Sequence, residues 1–136
     1  MSHGSCLCGG VRFEFSRAVT PVGMCHCSLC RKVSGAASNA TFFVPKDELV
    51  WRTGEELFQT FAMPTGWRTT FCRTCGSPLP QLHPSGGAYW VPAGILDDDP
   101  GVRIGGHIYV GSKAPWEEIG GSAPQFDEGP VAPKST

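Results

Sequence analysis

No stretch of the sequence approaches the roughly 18 consecutive apolar residues that a membrane-spanning helix needs. The first residues, MSHGSCLCGG, also lack the basic region and apolar run of a secretory leader. These absences point to a soluble, cytoplasmic protein. Surplus charge is missing too: 11 Lys and Arg stand against 12 Asp and Glu, a formal net charge of −1. That balance offers no general attraction for a phosphate backbone or an anionic membrane. Neither nucleic acid nor membrane is therefore expected as a partner. Long helical patterns are scarce as well, because 18 glycines and 12 prolines interrupt every periodic segment.

What the sequence does have is short alternating segments and cysteine. The 136 residues, 40% hydrophobic, are enough for one globular domain with a single core. We expect that domain over 1–128 and a disordered tail over 129–136, where Gly, Pro and Ser accumulate, with Phe126 pinning the segment before it. VRFEF (11–15), ATFFV (40–44), LFQTF (57–61), WRTTF (67–71), AYWV (88–91) and HIYV (107–110) read as strands. One short helix is predicted near Leu29 to Val33, ended by Gly35. LDDDPG (96–101) reads as a solvated turn. Trp67, Trp90 and Trp116 read as core or rim packing.

Seven cysteines are an odd number, which cannot pair completely within the chain, and a reducing compartment disfavours a disulfide framework. They are also grouped, as Cys6 and Cys8, then Cys25, Cys27 and Cys30, then Cys72 and Cys75. Buried free thiols would be scattered like other small apolar residues, so grouping indicates metal. A closed structural zinc site takes four protein ligands, whereas a catalytic one takes three and keeps a position for solvent or substrate.

Cys72-Arg-Thr-Cys75-Gly76 has the form of a zinc-knuckle turn, and Cys6-Leu-Cys8-Gly9-Gly10 that of a second small turn. Together they make a candidate closed site, leaving Cys25, Cys27 and Cys30 to converge on a second ion with one face open. In an alternative grouping, Cys27 and Cys30 join Cys72 and Cys75 in a ribbon, and Cys6, Cys8 and Cys25 remain for the other ion. Iron would suit the closed site chemically, although zinc is the commoner occupant of such knuckles. Among the histidines, His26 is expected to point away from sulfurs that flank it on both sides. His3 lies near a frayed end, and His83 and His107 read as structural residues beside strands. Arg31 and Lys32, directly after the third cysteine of the triplet, are candidates for binding a substrate carboxylate, or for balancing an anionic metal site.

GSCLCGGVRFEF, CHCSLCRKVSG, FCRTCGSPL and GILDDDPGVRIGGHIYVGSKAPWEEI, in this order, resemble the glutathione-dependent formaldehyde-activating enzyme family, also called centromere protein V-like. The resemblance runs from about Ser5 to Phe126. It implies a mainly β, Mss4-like fold of twisted antiparallel sheets clipped by a structural zinc. It further implies two zinc ions, a structural one on Cys6, Cys8, Cys72 and Cys75 and a catalytic one on Cys25, Cys27 and Cys30. The implied partner is a small thiol such as glutathione, and the implied activity is a carbon–sulfur lyase or synthase reaction joining it to an aldehyde such as formaldehyde. Three other readings compete: a non-catalytic zinc-stabilised β module that binds a protein, a methionine sulfoxide reductase, and a zinc-dependent nucleic-acid binder. The second would need a free nucleophilic cysteine that the grouping does not leave, and the third is opposed by the charge balance.

Overall fold

The computed structural model describes residues 1–18 and 20–129, so the expected tail, apart from Gly129, lies outside the described residues. In chain order the strands are β1 (Ser2–Ser5), β2 (Arg12–Phe15), β3 (Val22–Cys25), β4 (Asn39–Pro45), β5 (Leu49–Thr53), β6 (Phe58–Ala62), β7 (Arg68–Cys72), β8 (Gln81–Leu82), β9 (Ala88–Pro92) and β10 (Ile104–Ile108). A single α-helix among the described residues, α1 (Ser28–Ser34), lies between β3 and β4. The class is mainly β, as expected. The chain divides into two compact units, Met1–Thr20 with Thr41–Val102, and Pro21–Ala40 with Arg103–Thr136.

The larger unit is built from antiparallel pairs. β2 lies between β1 and β5, β9 pairs with both β4 and β8, and β6 and β7 form a hairpin. Strand β2 shows why: Phe13 and Phe15 are buried while Arg12 is exposed, the alternation that lets one sheet face meet a core. Phe15 packs on Phe42 and Phe13 on Trp51, each pair with ring centroids 5.6 Å apart, and Val44 and Val91 are fully buried alongside. Phe13→Ala is accordingly expected to destabilise the protein by about 3–5 kcal/mol, through lost transfer energy and the cavity left behind. The check is a lower urea midpoint with an unchanged denaturant slope.

Strand β1, which includes His3, was not expected. His3 pairs in register with Glu14, its backbone N–H donates to Asp98, and its ring lies 2.8 Å from the same carboxylate. Ser5 Oγ donates to Asp97 at 2.9 Å. The LDDDPG turn thus clamps the N-terminal strand, and His3 is not frayed. At the far end of β5, Gly54 has φ 90° and would drive a Cβ into the Gly10 backbone. Thr53 Oγ1 donates to Gly10 O at 3.0 Å in the same place. Only glycine allows this approach, and it fixes the turn that carries Cys8.

In the smaller unit, β3 and β10 run parallel, with Val22 opposite Ile104 and Cys25 opposite Ile108. Beside the antiparallel pairs of the larger unit, this one is parallel. The strand expected at 107–110 ends at Ile108, because Tyr109 takes the left-handed conformation, φ 54°. Phe126 is hydrogen-bonded to this strand, its N–H donating to His107 O at 2.9 Å. Helix α1 is capped at its start by Cys27, whose sulfur accepts from the Cys30 N–H, and closed by Gly35 at φ 66°. The described residues of this unit that are buried are Val22, His26, His107 and Ala114, so its interior is unusually polar.

Candidate functional site

Each unit carries one cluster of sulfurs. In the larger unit the Sγ atoms of Cys6, Cys8, Cys72 and Cys75 lie within 4.8 Å of one another. The Cys6–Cys8 and Cys8–Cys72 separations are 3.5 and 3.9 Å. A tetrahedron with metal–sulfur arms of about 2.3 Å has edges of about 3.8 Å, so this donor set fits a thiolate-bound zinc ion.

Two tight turns shape the cluster. Gly9 N–H donates to Cys6 O at 2.9 Å and Gly76 N–H to Cys72 O at 2.7 Å, with both glycines at positive φ. The Val11 amide donates to Cys6 Sγ at 3.2 Å. Ser77, which no spacing pattern singled out, joins the two turns: its hydroxyl accepts from Leu7 N–H at 2.8 Å and lies 3.4 Å from Cys75 Sγ, and its carbonyl accepts from Cys72 N–H at 2.9 Å. Hydrogen bonding to the Ser77 hydroxyl and backbone lowers the Cys75 thiol to about 5. Cys8 is pushed the other way: the Gly10 amide lowers it, but Cys6, desolvation and the other two sulfurs raise it to about 11. Four thiols this close cannot all ionise alone; a divalent cation removes the repulsion, and the protons leave as it binds.

In the smaller unit the Sγ atoms of Cys25, Cys27 and Cys30 form the second cluster, again within 4.8 Å of one another. Among the described residues no fourth histidine, cysteine or carboxylate joins them. All three are half-buried. Cys25 ends β3, Cys27 caps α1, and Cys30 lies in its first turn, so one strand end and one helix start bring the sulfurs together. Cys25 is lowered to about 6, first by the hydrogen bond from Cys30 and against the effect of burial, with hydrogen bonds from the Cys27 backbone and side chain helping. The same bond, with burial, raises Cys30. One thiolate is favoured and the next resisted, which also fits a centre completed by a cation.

Arg31 and Lys32 occupy the last turn of α1. Lys32 is exposed, whereas Arg31 is half-buried and its Nε is fully buried without a hydrogen-bond partner among the described residues. His26 turns away from the sulfurs and is 1% exposed. Its Nε2 lies 2.9 Å from His107 Nδ1, and its Nδ1 lies 2.7 Å from Glu117 Oε1. Sequence spacing did not connect these partners, since His26 and His107 are 81 positions apart. Of the tryptophans, Trp116 is 72% exposed and so is not core. Trp51 packs against the cluster of Cys6, Val11, Cys72 and Leu79.

The family model for glutathione-dependent formaldehyde-activating enzymes matches residues 1–112. The chain belongs to this family. A Halomonas elongata relative, named "Putative glutathione-dependent formaldehyde-activating enzyme", is 30% identical over 127 residues, covering 86% of this chain and 80% of the relative. A crystal structure of a Rhodobacter sphaeroides protein matches with a TM-score of 0.60 and 25% identity, over 71% of this chain and 89% of the other. Among the described residues no helix is long and apolar enough to cross a membrane.

Proposed function

We propose that the chain is a zinc-dependent carbon–sulfur lyase of the S-(hydroxymethyl)glutathione synthase type, joining the glutathione thiol to formaldehyde. The observation that carries this reading is the cluster of three thiols with no fourth protein donor among the described residues, in a chain whose family is named for that chemistry. Zinc held by three thiolates supplies a soft coordination position that accepts a thiol sulfur and favours its deprotonated form. Cys25, Cys27 and Cys30 are the catalytic ligands in this reading. Cys6, Cys8, Cys72 and Cys75 hold a structural ion.

Arg31 supplies the substrate contact. Its buried Nε lacks a hydrogen-bond partner among the described residues, and a guanidinium grips a carboxylate through parallel N–H donors; glutathione carries two carboxylates. Exposed Lys32 adds a second cation on the same turn. In the reaction the sulfur adds to the carbonyl carbon, forming the C–S bond. The carbonyl π electrons pass to oxygen, which takes a proton to become the hydroxyl. The thiol proton is lost to solvent, and no oxidant is consumed. The reverse reaction breaks the same C–S bond.

The test is a glutathione titration of the zinc-replete protein, with both ions counted and formaldehyde consumption followed in parallel. The expected result is two ions per chain, one of which becomes exchangeable or shifts its affinity with glutathione, and formaldehyde loss faster than with glutathione alone. Two ions that both ignore glutathione, with no rate above background, would favour the non-catalytic module.

A further inference from the structure

The polar interior of the smaller unit needs an explanation. Burying two imidazoles and most of a carboxylate costs free energy that apolar side chains of similar volume would not. His26 is 1% exposed, His107 6%, and the Glu117 side chain 14%. His26 Nδ1 and Glu117 Oε1 face each other at 2.7 Å, and among the described residues neither atom makes a hydrogen bond, so this close contact is all that compensates their burial. Stability alone does not call for this arrangement.

Its location does. Successive side chains of an extended chain point to opposite sides. Cys25 is paired to Ile108, His26 N–H extends that ladder by donating to Ile108 O at 3.0 Å, and Cys27 has extended φ and ψ of −68° and 161°. With His26 on one side, Cys25 and Cys27 are turned to the other. Whatever fixes the His26 ring therefore fixes the rotation of this segment about its axis, and with it the direction of two of the three sulfurs.

Both edges of that ring meet a partner: His107 by a hydrogen bond at Nε2 and the Glu117 carboxylate by a close contact at Nδ1. His107 is anchored in β10, its N–H donating to Pro124 O at 2.8 Å. Glu117 is anchored by its own N–H to Ala114 O at 3.1 Å and by Lys113 Nζ, which donates to the Glu117 carbonyl at 2.9 Å.

We propose that Glu117, acting through His26 and braced by His107, is a positioning residue for the three-thiol centre. With the carboxylate facing Nδ1–H of His26, the other ring nitrogen accepts from His107 Nδ1–H, and one ring orientation is selected. This is the part that carboxylate–histidine pairs play around metal sites, where loss of an outer partner costs about 10–100-fold in affinity. Here the histidine is not itself a ligand but lies between two of them. The proposal rests on reading Cys25, Cys27 and Cys30 as an ion-holding centre.

The experiment is a competitive chelator titration of zinc from the wild-type chain, Glu117→Ala and Glu117→Gln, with cobalt(II) spectra of the same three proteins. In Glu117→Ala the ion on the triplet should be held about 10–100-fold more weakly and its cobalt ligand-field bands should shift, while the four-cysteine ion stays unchanged. Glu117→Gln keeps an acceptor at the same reach and should recover most of the affinity. Glu117→Ala with wild-type affinity and bands would overturn the proposal, as would both ions weakening together with the melting temperature, the mark of a general fold contact. If Glu117→Ala does not fold, Glu117→Asp decides: its shorter side chain withdraws the acceptor from His26, so its triplet bands must shift while the four-cysteine bands do not, and unshifted bands overturn the proposal. A wild-type chain that takes up two ions but is indifferent to Glu117 defeats this inference alone. One that takes up a single ion defeats the proposed function with it.

Discussion

Cys72→Ser is expected to give a chain that takes up one ion fewer and does not reach the folded state. Cys72 is fully buried and sits at the end of β7, in a cluster with Cys6, Val11 and Leu79 against which Trp51, Leu57 and Phe58 pack. The sulfurs are thus part of the apolar core of the larger unit. Structural zinc sites bind with apparent free energies of about 10–16 kcal/mol, and that binding energy is folding energy because the unfolded chain has no preformed site. Whole domains are stable by only about 5–15 kcal/mol. Loss of one ligand from the closed set removes a large share of a term as big as the total, and the serine hydroxyl is left in an apolar pocket without the charge that justified a polar atom there. Circular dichroism and metal content provide the check. A Cys72→Ser chain with native thermal unfolding and a full complement of metal would show that the four-cysteine cluster does not hold the fold.

Much of this architecture could be read from the chain because its determinants are local. VRFEF alternates and becomes β2, the hairpin strands 58–62 and 68–72 follow their aromatic and threonine-rich runs, and Gly35 ends α1 where a left-handed residue was needed. Segments with no local pattern were missed. Strand β1 is SHGS and β3 is VGMC, neither of which alternates; each is extended because a partner strand accepts it. The β3 and β10 pair is parallel, so no hairpin turn announces it.

The same division holds in the site. Sulfurs two or three residues apart declare themselves by spacing, and Arg31 by its place after them. Ser77 laces the two knuckles with a hydroxyl that has no spacing rule, and the His26, His107 and Glu117 contacts close over long stretches of chain. A histidine between two cysteines says only that it cannot point the same way they do. What it points toward is decided by the fold.

Cys27→Ser should separate the two clusters most cleanly, because serine can replace the cysteine in one of its roles and not in the other. Cys27 caps α1, its sulfur accepting from Cys30 N–H at 3.4 Å. Serine is among the best N-capping residues, so the helix keeps its start and, compared with the triplet metal-free in both proteins, the stability change should stay within about 1 kcal/mol, whereas Cys27→Ala would lose the cap as well. The half-buried triplet also stands outside the apolar cluster that holds Cys72. As a metal ligand, however, a serine hydroxyl is a poor substitute for a thiolate. Losing a direct ligand should cost more than the roughly 100-fold upper end seen for outer partners. The expected variant is folded, retains one tightly held ion, has lost the other, and shows no glutathione-dependent formaldehyde consumption above the spontaneous rate. Thermal unfolding, metal content and the rate measurement together decide it. Collapse of the whole structure on this one change would mean that the triplet's ion is as structural as the other, and the open coordination position would lose its catalytic meaning.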